Sequence, residues 1–282
     1  MIEFEQISSS EAARPIYQAV VSKIDIENHP DFSIRPIKVL DLGGGSGTVG
    51  QAIKQQCEAF FGPMSQAEFG SLVDYVNIDL DSTALTKSPG RTVNHSLTDS
   101  YNILEADIPF DFVLCVNPVR PTIPYSFEEL TRGNVPAEIK RGITNASSQI
   151  AGRFSRVILL NAALMLGEGG KYIQSGFMDK STFEGILLYI KSARLGLTLD
   201  NSQIIELDDC LKDLFVGVDT NKKPGSRSFE KLKEMYGQYR IITTRMKGTQ
   251  DRERLVDILD KEFQAGSKLM SFLEVQDRFG SW

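Results

Sequence analysis

Short apolar runs alternate with longer amphipathic segments along most of the chain, a pattern that is typical of an α/β sheet. The run at 110–116, "FDFVLCV", is continuous and apolar, as expected of a central parallel strand. The short runs predict strands over 37–42, 74–80, 91–97, 110–116, 171–177, 201–207 and 239–246.

Apolar positions at helical spacing separate most of these strands. They predict helices over 8–24, 48–61, 146–166, 181–197 and 251–264. Between the last two predicted strands there is no long hydrophobic helix, which suits a final strand that runs antiparallel to its neighbour. We therefore predict an α/β fold: a doubly wound, seven-stranded, mostly parallel sheet with its last strand antiparallel and helices on both faces.

No repeat or convincing linker divides the 282 residues, so a single domain over 1–282 is predicted. Within it we expect an N-terminal helical extension over 1–34 and a C-terminal helical tail over 247–282. The tail has an apolar face that is expected to pack on the sheet and contains Leu255, Ile258, Leu259 and Phe263.

A glycine-rich segment follows the first predicted strand and reads "KVLDLGGGSGTVG" over 38–50. The part from Gly45 to Gly50 fits the G-x-G-x-x-G pattern of dinucleotide-binding loops. The part from Asp41 to Gly47 fits equally well a D-x-G-x-G-x-G loop, which holds a nucleoside without phosphates. Both interpretations place a ligand at the carboxyl end of the strand.

The acidic residues around the loop separate the two interpretations. A dinucleotide motif expects an acid roughly 20 residues beyond the glycines, whereas Asp79 lies 32 residues beyond Gly47. Asp41 at the mouth of the strand would repel a pyrophosphate but attract an ammonium or a sulfonium group. No Gly-Lys-Ser/Thr follows, so a P-loop is excluded. The pattern favours a cationic nucleoside.

At these residues the chain resembles the class I S-adenosylmethionine-dependent methyltransferases, which have a Rossmann-like fold. The resemblance covers roughly 35–246, and "VLDLGGGSG" and "NIDLDSTAL" are its most specific parts. It implies that Asp41 anchors the ammonium group of S-adenosyl-L-methionine, directly or through water, and that Asp79 binds both ribose hydroxyls. It implies further cofactor contacts from Gly43, Gly44, Gly45, Gly47 and Leu80.

The third motif of the family is weaker in this chain. After the third predicted strand, "NHSLTD" offers Ser96 at the position where the family often has an acid for the adenine amino group. The backbone amide of Leu97 is expected to reach the adenine ring, and Asp99 is an alternative for the acid.

The fourth predicted strand leads into "VNPVRPTIPYS". Asn117-Pro118 resembles the N-P-P-Y/F signature of methyltransferases that act on amino or amide nitrogen, in which the Asn carbonyl and a backbone carbonyl orient the acceptor. The second proline and the aromatic residue of that signature are replaced here by Val119 and Arg120. Arg120 suggests a carboxylate or phosphate on the acceptor, and Tyr125 is a candidate replacement for the aromatic residue. The alternative is that Asn117-Pro118 only ends a strand.

Prolines and glycines are frequent just beyond this motif. We predict that 119–144 is an insert that acts as a lid or substrate loop, with surface decoration as the alternative.

Charge and composition limit the function further. The net charge of −6 disfavours nucleic acid as a partner, although 221–233 is a basic run. The three scattered cysteines and two histidines give no metal-site pattern, and His29 is expected to be solvated. No signal peptide or membrane span is predicted, so a cytoplasmic location is the default expectation.

These features predict an enzyme that transfers a methyl group from S-adenosyl-L-methionine by direct displacement, with S-adenosyl-L-homocysteine as product. The acceptor is expected to be a nitrogen, or less favourably an oxygen, on a small molecule or a protein side chain. Three alternatives stay open: a nucleic-acid methyltransferase, an NAD-dependent oxidoreductase, and a non-catalytic binding module with the same fold.

Overall fold

A computed structural model of the chain describes residues 14–26, 28–80, 82–116, 137–206, 238–248 and 251–279. These residues contain one seven-stranded sheet. Its strands are β1 (Ile37–Leu42), β2 (Val73–Asp79), β3 (Arg91–Asn94), β4 (Phe110–Val116), β5 (Leu166–Met178), β6 (Leu197–Ile204) and β7 (Gln238–Met246).

The strands lie in the order β3-β2-β1-β4-β5-β7-β6. The pairs among β1 to β5 are parallel, whereas β7 is antiparallel to both β5 and β6. The predicted mostly parallel sheet with an antiparallel last strand is therefore confirmed. The chain order reverses between β1 and β4, and ligands of doubly wound sheets bind outside the carboxyl ends of the strands at such a reversal.

Helices cover both faces of the sheet, as predicted. The helices are α1 (Arg14–Val21), α2 (Thr48–Phe61), α3 (Gln66–Leu72), α4 (Ser82–Leu85), α5 (Ser100–Leu104), α6 (Ala137–Met165), α7 (Lys180–Ser192) and α8 (Arg252–Phe279). Side chains alternate across a strand, so Val39 packs into the core under α1 and α2, and Leu40 into the core under α6, α7 and α8. None of the helices in the described part of the chain is both long and apolar enough to cross a membrane.

Several predicted elements differ from the observed ones, and three of the differences are informative. The helix before the "GEGG" segment ends as predicted, at Met165, but the strand predicted over 171–177 begins earlier, at Leu166, which pairs with Phe110 before a shift in register. β6 begins earlier than predicted, since it is an edge strand with mostly exposed residues and has no apolar alternation. Helix α3 was not predicted, although Ser65 and Glu68 form a reciprocal capping box at its start.

The first and the last described helices both pack onto the rest of the fold. Helix α1 contacts α2 and contributes Ile16 and Val20 to the core. Helix α8 packs against α6 and buries Leu255 and Leu259. The predicted insert over 119–144 is described only from residue 137 onward, where it forms the start of α6, and 119–136 lie outside the described residues.

The expectation that His29 is simply solvated is wrong. Its side chain is 17% exposed, and its ring lies 5.9 Å from the ring of Phe112. Its Nε2 atom lies 3.6 Å from Asp111 Oδ1. The polar connector before β1 therefore folds back onto the amino-terminal end of β4.

Candidate functional site

The glycine loop, residues 43–47, connects the carboxyl end of β1 to the start of α2, beside the reversal of strand order. Gly43, Gly45 and Gly47 have φ angles of 75°, 51° and 74°. Side chains rarely adopt these angles, so the loop requires glycine at these positions. The loop ends at the first turn of α2, where Gly47 provides no side-chain cap, and the amino end of a helix favours an anion.

Side chains of β2 hold the loop in this shape. Asn77 Nδ2 donates to the carbonyl oxygen of Gly45 at 2.9 Å, and the N–H of Gly45 donates to Asp79 Oδ2 at 2.9 Å. The N–H of Gly43 continues the ladder of strand bonds by donating to the carbonyl oxygen of Ile78 at 2.8 Å. These three hydrogen bonds tie the loop to β2.

Asp41 lies beneath the loop and is fully buried. The hydroxyl of Tyr75 donates to Asp41 Oδ2 at 2.5 Å, while Asp41 Oδ1 has no hydrogen-bond partner among the described residues. A Cβ atom on Gly44 would lie 2.6 Å from the carboxyl carbon of Asp41, a distance that real Cβ atoms do not reach. Gly44 therefore covers the carboxyl group at close range, and any larger residue there would displace it.

The surroundings of Asp41 raise the pKa of its carboxyl group. Burial raises the pKa of Asp41 to about 7, the hydrogen bond from Tyr75 opposes this, and the nearby charge of Asp79 adds to it. The pKa of Tyr75 is raised well above its ordinary value by burial and by Asp41. The carboxyl group thus changes charge near neutral pH, whereas the phenol stays protonated.

The end of β2 presents Asp79 and Leu80 at the surface beside the loop. Asp79 is partly exposed, and Leu80 is 72% exposed. The side chain of Asn94 donates to the carbonyl oxygens of Asp79 at 3.1 Å and of Leu80 at 2.9 Å. The N–H of His95 also donates to Asp79 O, at 3.0 Å. The end of β3 thus fixes the backbone that carries both predicted cofactor residues.

The predicted adenine contacts lie on the turn that follows β3. Ser96 caps a short 3-10 turn over Leu97–Asp99, and its hydroxyl lies 2.7 Å from the hydroxyl of Thr98. One carboxylate oxygen of Asp99 accepts from Asn102 Nδ2 at 2.6 Å, within the same region. Strand β3 pairs only with β2, so this turn lies on the same side of the loop as Asp79.

Asn161, a buried residue of α6, holds this turn from beneath. Its Oδ1 atom accepts from the N–H of Tyr101 at 2.8 Å and from the hydroxyl of Ser100 at 3.2 Å. Its Nδ2 atom donates to the carbonyl oxygens of Thr98 and Val157, both at 2.9 Å. All the hydrogen-bonding groups of this buried amide are used, so it fixes the position of the turn.

Sequence reasoning missed Tyr75, Asn77 and Asn161 as site residues. The signal was present for the first two, because Tyr75, Asn77 and Asp79 alternate along a strand and so face the same side. In an otherwise apolar strand that alternation marks a polar column. Asn161 interrupts the most apolar run of the chain, "VILLNAALML", and is the only strongly polar residue within it.

The carboxyl end of β4 lies at the same edge of the sheet. Its last residue, Val116, pairs with Ser175 of β5. The buried hydroxyl of Ser175 accepts from the hydroxyl of Tyr239 at 3.0 Å. The predicted acceptor-binding residues Asn117, Pro118, Arg120 and Tyr125 follow Val116 directly and lie outside the described residues.

A group of His29, Asp31 and Asp111 has ligand atoms within 4.8 Å of one another at the opposite edge of the sheet. Arg35 already binds both acids of this group: its Nη1 atom lies 2.7 Å from Asp111 Oδ2, and its Nη2 atom 2.7 Å from Asp31 Oδ2. A guanidinium ion therefore occupies the place that a metal ion would need.

Comparisons with known proteins give structural similarities only. No protein-family model matches the chain, and no curated protein matches it. The chain is similar to the structure of StiE O-MT residues 942–1257, with 14% identity and a TM-score of 0.48 over 89% of this chain and 80% of that one.

Two further structures show the same degree of similarity. One is the 1,6-didemethyltoxoflavin-N1-methyltransferase of Burkholderia thailandensis, with 13% identity and a TM-score of 0.44 over 85% of this chain and 80% of that one. The other is magnesium protoporphyrin IX methyltransferase from Synechocystis PCC 6803, with 10% identity and a TM-score of 0.43 over 88% and 86%. All three TM-scores are below 0.5, so fold and ligand are inferred from the strand order and the site of this chain.

Proposed function

We propose that the chain is an S-adenosyl-L-methionine-dependent methyltransferase that holds its cofactor at the carboxyl ends of β1 and β2. The observation that carries this proposal is the glycine loop closed over the buried acid Asp41 and flanked by the partly exposed acid Asp79. Two carboxyl groups around one loop oppose a diphosphate and favour a cation.

The first turn of α2 supplies the complementary field. The amino end of this helix attracts an anion, while Asp41 beneath the loop attracts a cation. A zwitterionic amino-acid group satisfies both fields at once, and a diphosphate satisfies only the first. This combination is our reason to prefer S-adenosyl-L-methionine over NAD.

Asp79 would bind the two ribose hydroxyls, since a carboxylate accepts two hydrogen bonds from adjacent donors. Asp79 Oδ2 also accepts from the N–H of Gly45, so the same residue supports the loop and the sugar. The adenine would lie along Leu80, Ser96 and Leu97, on the turn that Asn161 fixes. When bound, S-adenosyl-L-methionine supplies an electrophilic methyl group and leaves as S-adenosyl-L-homocysteine.

The acceptor would be oriented by Asn117 and Pro118, with Arg120 gripping an anionic group on it and Tyr125 supplying an aromatic wall. Support comes from Val116, which ends β4 at the sheet edge that carries the glycine loop. Positioning supplies up to ~7–11 kcal/mol in favourable cases, so a neutral nitrogen acceptor needs no strong general base. We propose a nitrogen of a small molecule or a protein side chain as acceptor.

Calorimetric titration of the full chain with S-adenosyl-L-homocysteine and, separately, with NADH tests the ligand class. We expect micromolar binding of the first ligand and none of the second. Asp79→Ala should weaken binding roughly 100-fold, since two charge-assisted hydrogen bonds are lost. Asp79→Asn is the matched variant, because its amide oxygen still accepts from Gly45 while the charge is removed. A diphosphate bound against residues 43–47 would refute the proposal.

Asn117→Ala separates a catalytic from a structural role of that residue. A methyltransferase with this acceptor geometry should lose activity while its affinity for S-adenosyl-L-homocysteine stays within about 2-fold, since alanine removes only the acceptor's hydrogen bond. Unchanged activity would favour the view that Asn117-Pro118 only ends the strand. Salt-sensitive retention on RNA or DNA would instead favour a nucleic-acid acceptor, which the net charge of −6 opposes.

A further inference from the structure

The buried polar groups beneath the glycine loop leave two oxygen atoms without partners. Asp41 Oδ1 and Asn77 Oδ1 are both buried and accept no hydrogen bond within the described part of the chain. Their residues are direct partners across β1 and β2 and therefore face the same side of the sheet. Burying unpartnered acceptors is unfavourable by ~1–3 kcal/mol each, so the pair requires an explanation.

The carboxyl group of Asp41 and the side-chain oxygen of Asn77 lie around the same point. A Cβ atom on Gly44 would lie 2.6 Å from the carboxyl carbon of Asp41 and 2.7 Å from Asn77 Oδ1. The amide of Asn77 cannot turn to offer a donor there, because its Nδ2 atom already donates to the carbonyl oxygen of Gly45. Asp41 Oδ2 is likewise engaged, by the hydroxyl of Tyr75. A proton on Asp41 Oδ1 would turn two unpartnered acceptors into a donor and an acceptor.

We propose, building on the proposed function, that Asp41 is a buried counter-ion for the ammonium group of the cofactor, protonated on Oδ1 in the free protein, and that binding of this ammonium group above the loop releases the proton to solvent. The protonated acid donates towards Asn77 Oδ1. The ionised acid keeps the hydrogen bond from Tyr75. Asp41 acts through the backbone of Gly44, which separates the carboxyl group from any ligand above the loop.

The pKa values of the titratable groups around Asp41 agree with a proton on Asp41. Burial raises the pKa of Asp41 to about 7, and the charge of Asp79 on β2 raises it further. Burial, and then the charge of Asp41, raises the pKa of Tyr17 on α1 to about 12. The pKa values of Tyr75 on β2 and Cys115 on β4 are raised by burial as well. On the α2 side, the residue packed against the ring of Tyr75 is the uncharged Gly50. Asp41 therefore changes charge near neutral pH while these three neighbours do not.

The ammonium group of a ligand above the loop would lower the pKa of Asp41. At an effective dielectric constant of about 20, a unit charge ~8 Å away favours the ionised carboxylate by roughly 30-fold. Affinity for the ligand should therefore rise roughly 30-fold from acidic to alkaline pH. Close to pH 7, about half a proton should be released for each ligand bound.

Tyr75 becomes a positioning residue for this exchange. Of the two carboxyl oxygens of Asp41, its hydroxyl donates to Oδ2, so it stabilises the ionised acid and leaves Oδ1 as the site of the proton. Without that donor the proton is held more tightly. Tyr75→Phe should therefore move the pH range of proton release upward, an effect that a merely structural role would not produce.

The experiment is titration calorimetry of the full chain with S-adenosyl-L-homocysteine at pH 6, 7 and 9, in pairs of buffers with different ionisation enthalpies. The difference in heat between the buffers gives the number of protons released. We expect about half a proton or more at pH 6 and 7, and almost none at pH 9. The probe 5′-methylthioadenosine lacks the ammonium and carboxylate groups and should bind without releasing a proton.

Three variants locate the proton. Asp41→Asn should bind more weakly and release no proton at any pH. Tyr75→Phe should still release a proton at pH 9. Tyr17→Phe is the matched control, since it removes a buried phenol that does not bond Asp41, and its release should follow the wild type.

The outcomes separate this inference from the proposed function. Wild-type binding with no proton release, or release that persists in Asp41→Asn, would overturn the inference and leave the function standing. If S-adenosyl-L-homocysteine does not bind to the wild type at all, the proposed function fails, and the inference with it. Should Asp41→Asn fail to fold, the pH shift in Tyr75→Phe decides.

Discussion

Asp41 and Asp111 lie on the neighbouring central strands β1 and β4. Asp41 lies at the carboxyl ends of the strands (the carboxyl edge) and Asp111 at the amino ends (the amino edge), and their surroundings are opposite. At the carboxyl edge, Asp41 lies one residue before the end of β1 and is fully buried; it accepts a hydrogen bond from Tyr75, and its Oδ1 atom has no partner among the described residues. At the amino edge, Asp111 begins β4 and binds two donors of Arg35, at 2.7 and 2.8 Å, and the N–H of Lys38 at 2.8 Å.

The pKa values follow these surroundings. Burial raises the pKa of Asp41 to about 7, with only one hydrogen bond to oppose it. Burial also acts to raise the pKa of Asp111, but the hydrogen bonds from Arg35 and Lys38, with the nearby charges, hold it below its ordinary value. At the amino edge, the hydrogen bonds to Asp111 stabilise its ionised form and thereby the fold. At the carboxyl edge, Asp41 lacks such donors among the described residues, and a perturbed acid of this kind is typical of a functional site.

The largest expected effect on the free energy of unfolding comes from replacing Asp41 or Asp111 with asparagine in two separate variants. A folded-state pKa raised from about 4 to about 7 gives stability that is present at low pH and is lost as pH rises through 7, a loss of ~4 kcal/mol. Asp41→Asn removes that loss, and its amide can donate towards Asn77. It should be more stable than the wild type at pH 8, by up to ~4 kcal/mol, and by less at pH 5. Urea unfolding at both pH values measures this.

Asp111→Asn is the matched comparison and should have the opposite sign. A lowered folded-state pKa gives stability that is present above the unfolded pKa and is lost as pH falls through the folded one. This variant should be less stable than the wild type at pH 8, by ~1–3 kcal/mol, with a smaller deficit at low pH. If both variants lose stability at pH 8, the contrast between the two edges is wrong.

A second, smaller effect is expected from Arg35→Ala. It leaves Asp111 half-buried with only the N–H of Lys38 and a His29 contact, which should destabilise the fold by ~2–3 kcal/mol in thermal or urea unfolding. Binding of S-adenosyl-L-homocysteine should be unchanged within about 2-fold, since this edge is distant from the loop. Arg245→Ala is the control: its pair with Asp200 is 3.4 Å long and exposed, so its loss should matter by less than ~1 kcal/mol.

Gly44→Ala should destabilise the fold by ~1–3 kcal/mol, and it should affect binding as well. The new Cβ atom has to displace Asp41 and Asn77, so the affinity for S-adenosyl-L-homocysteine should fall roughly 10–100-fold. Gly185→Ala in α7 is the matched control, because its Cβ atom meets nothing within 4 Å. It should stabilise the helix by ~0.5–1 kcal/mol and leave binding unchanged. Equal effects of the two substitutions on affinity would contradict the close covering of Asp41.

Much of the fold could be predicted, because it depends on local patterns. The runs at 37–42 and 110–116 predicted β1 and β4 with their observed bounds, since buried parallel strands read as continuous apolar segments. The start of β6 was missed, since an edge strand exposed on both faces has no such pattern. The start of β5 was missed because its glycines over 167–170 favour a turn, whereas pairing with β4 on both sides of them, at Leu166 and from Lys171 onward, is not local.

The sequence by itself determined the succession of strands and helices along the chain, the glycine loop, and the acids Asp41 and Asp79 near two strand ends. These follow from residue types and their spacing. Only the tertiary structure decided that Asp41 is buried beneath Gly44, that Tyr75 bonds it across 34 positions of sequence, and that Asn161 holds the turn beyond β3. The physical reason is that a charge state depends on the solvent and donors within a few ångströms, and packing of distant segments sets both.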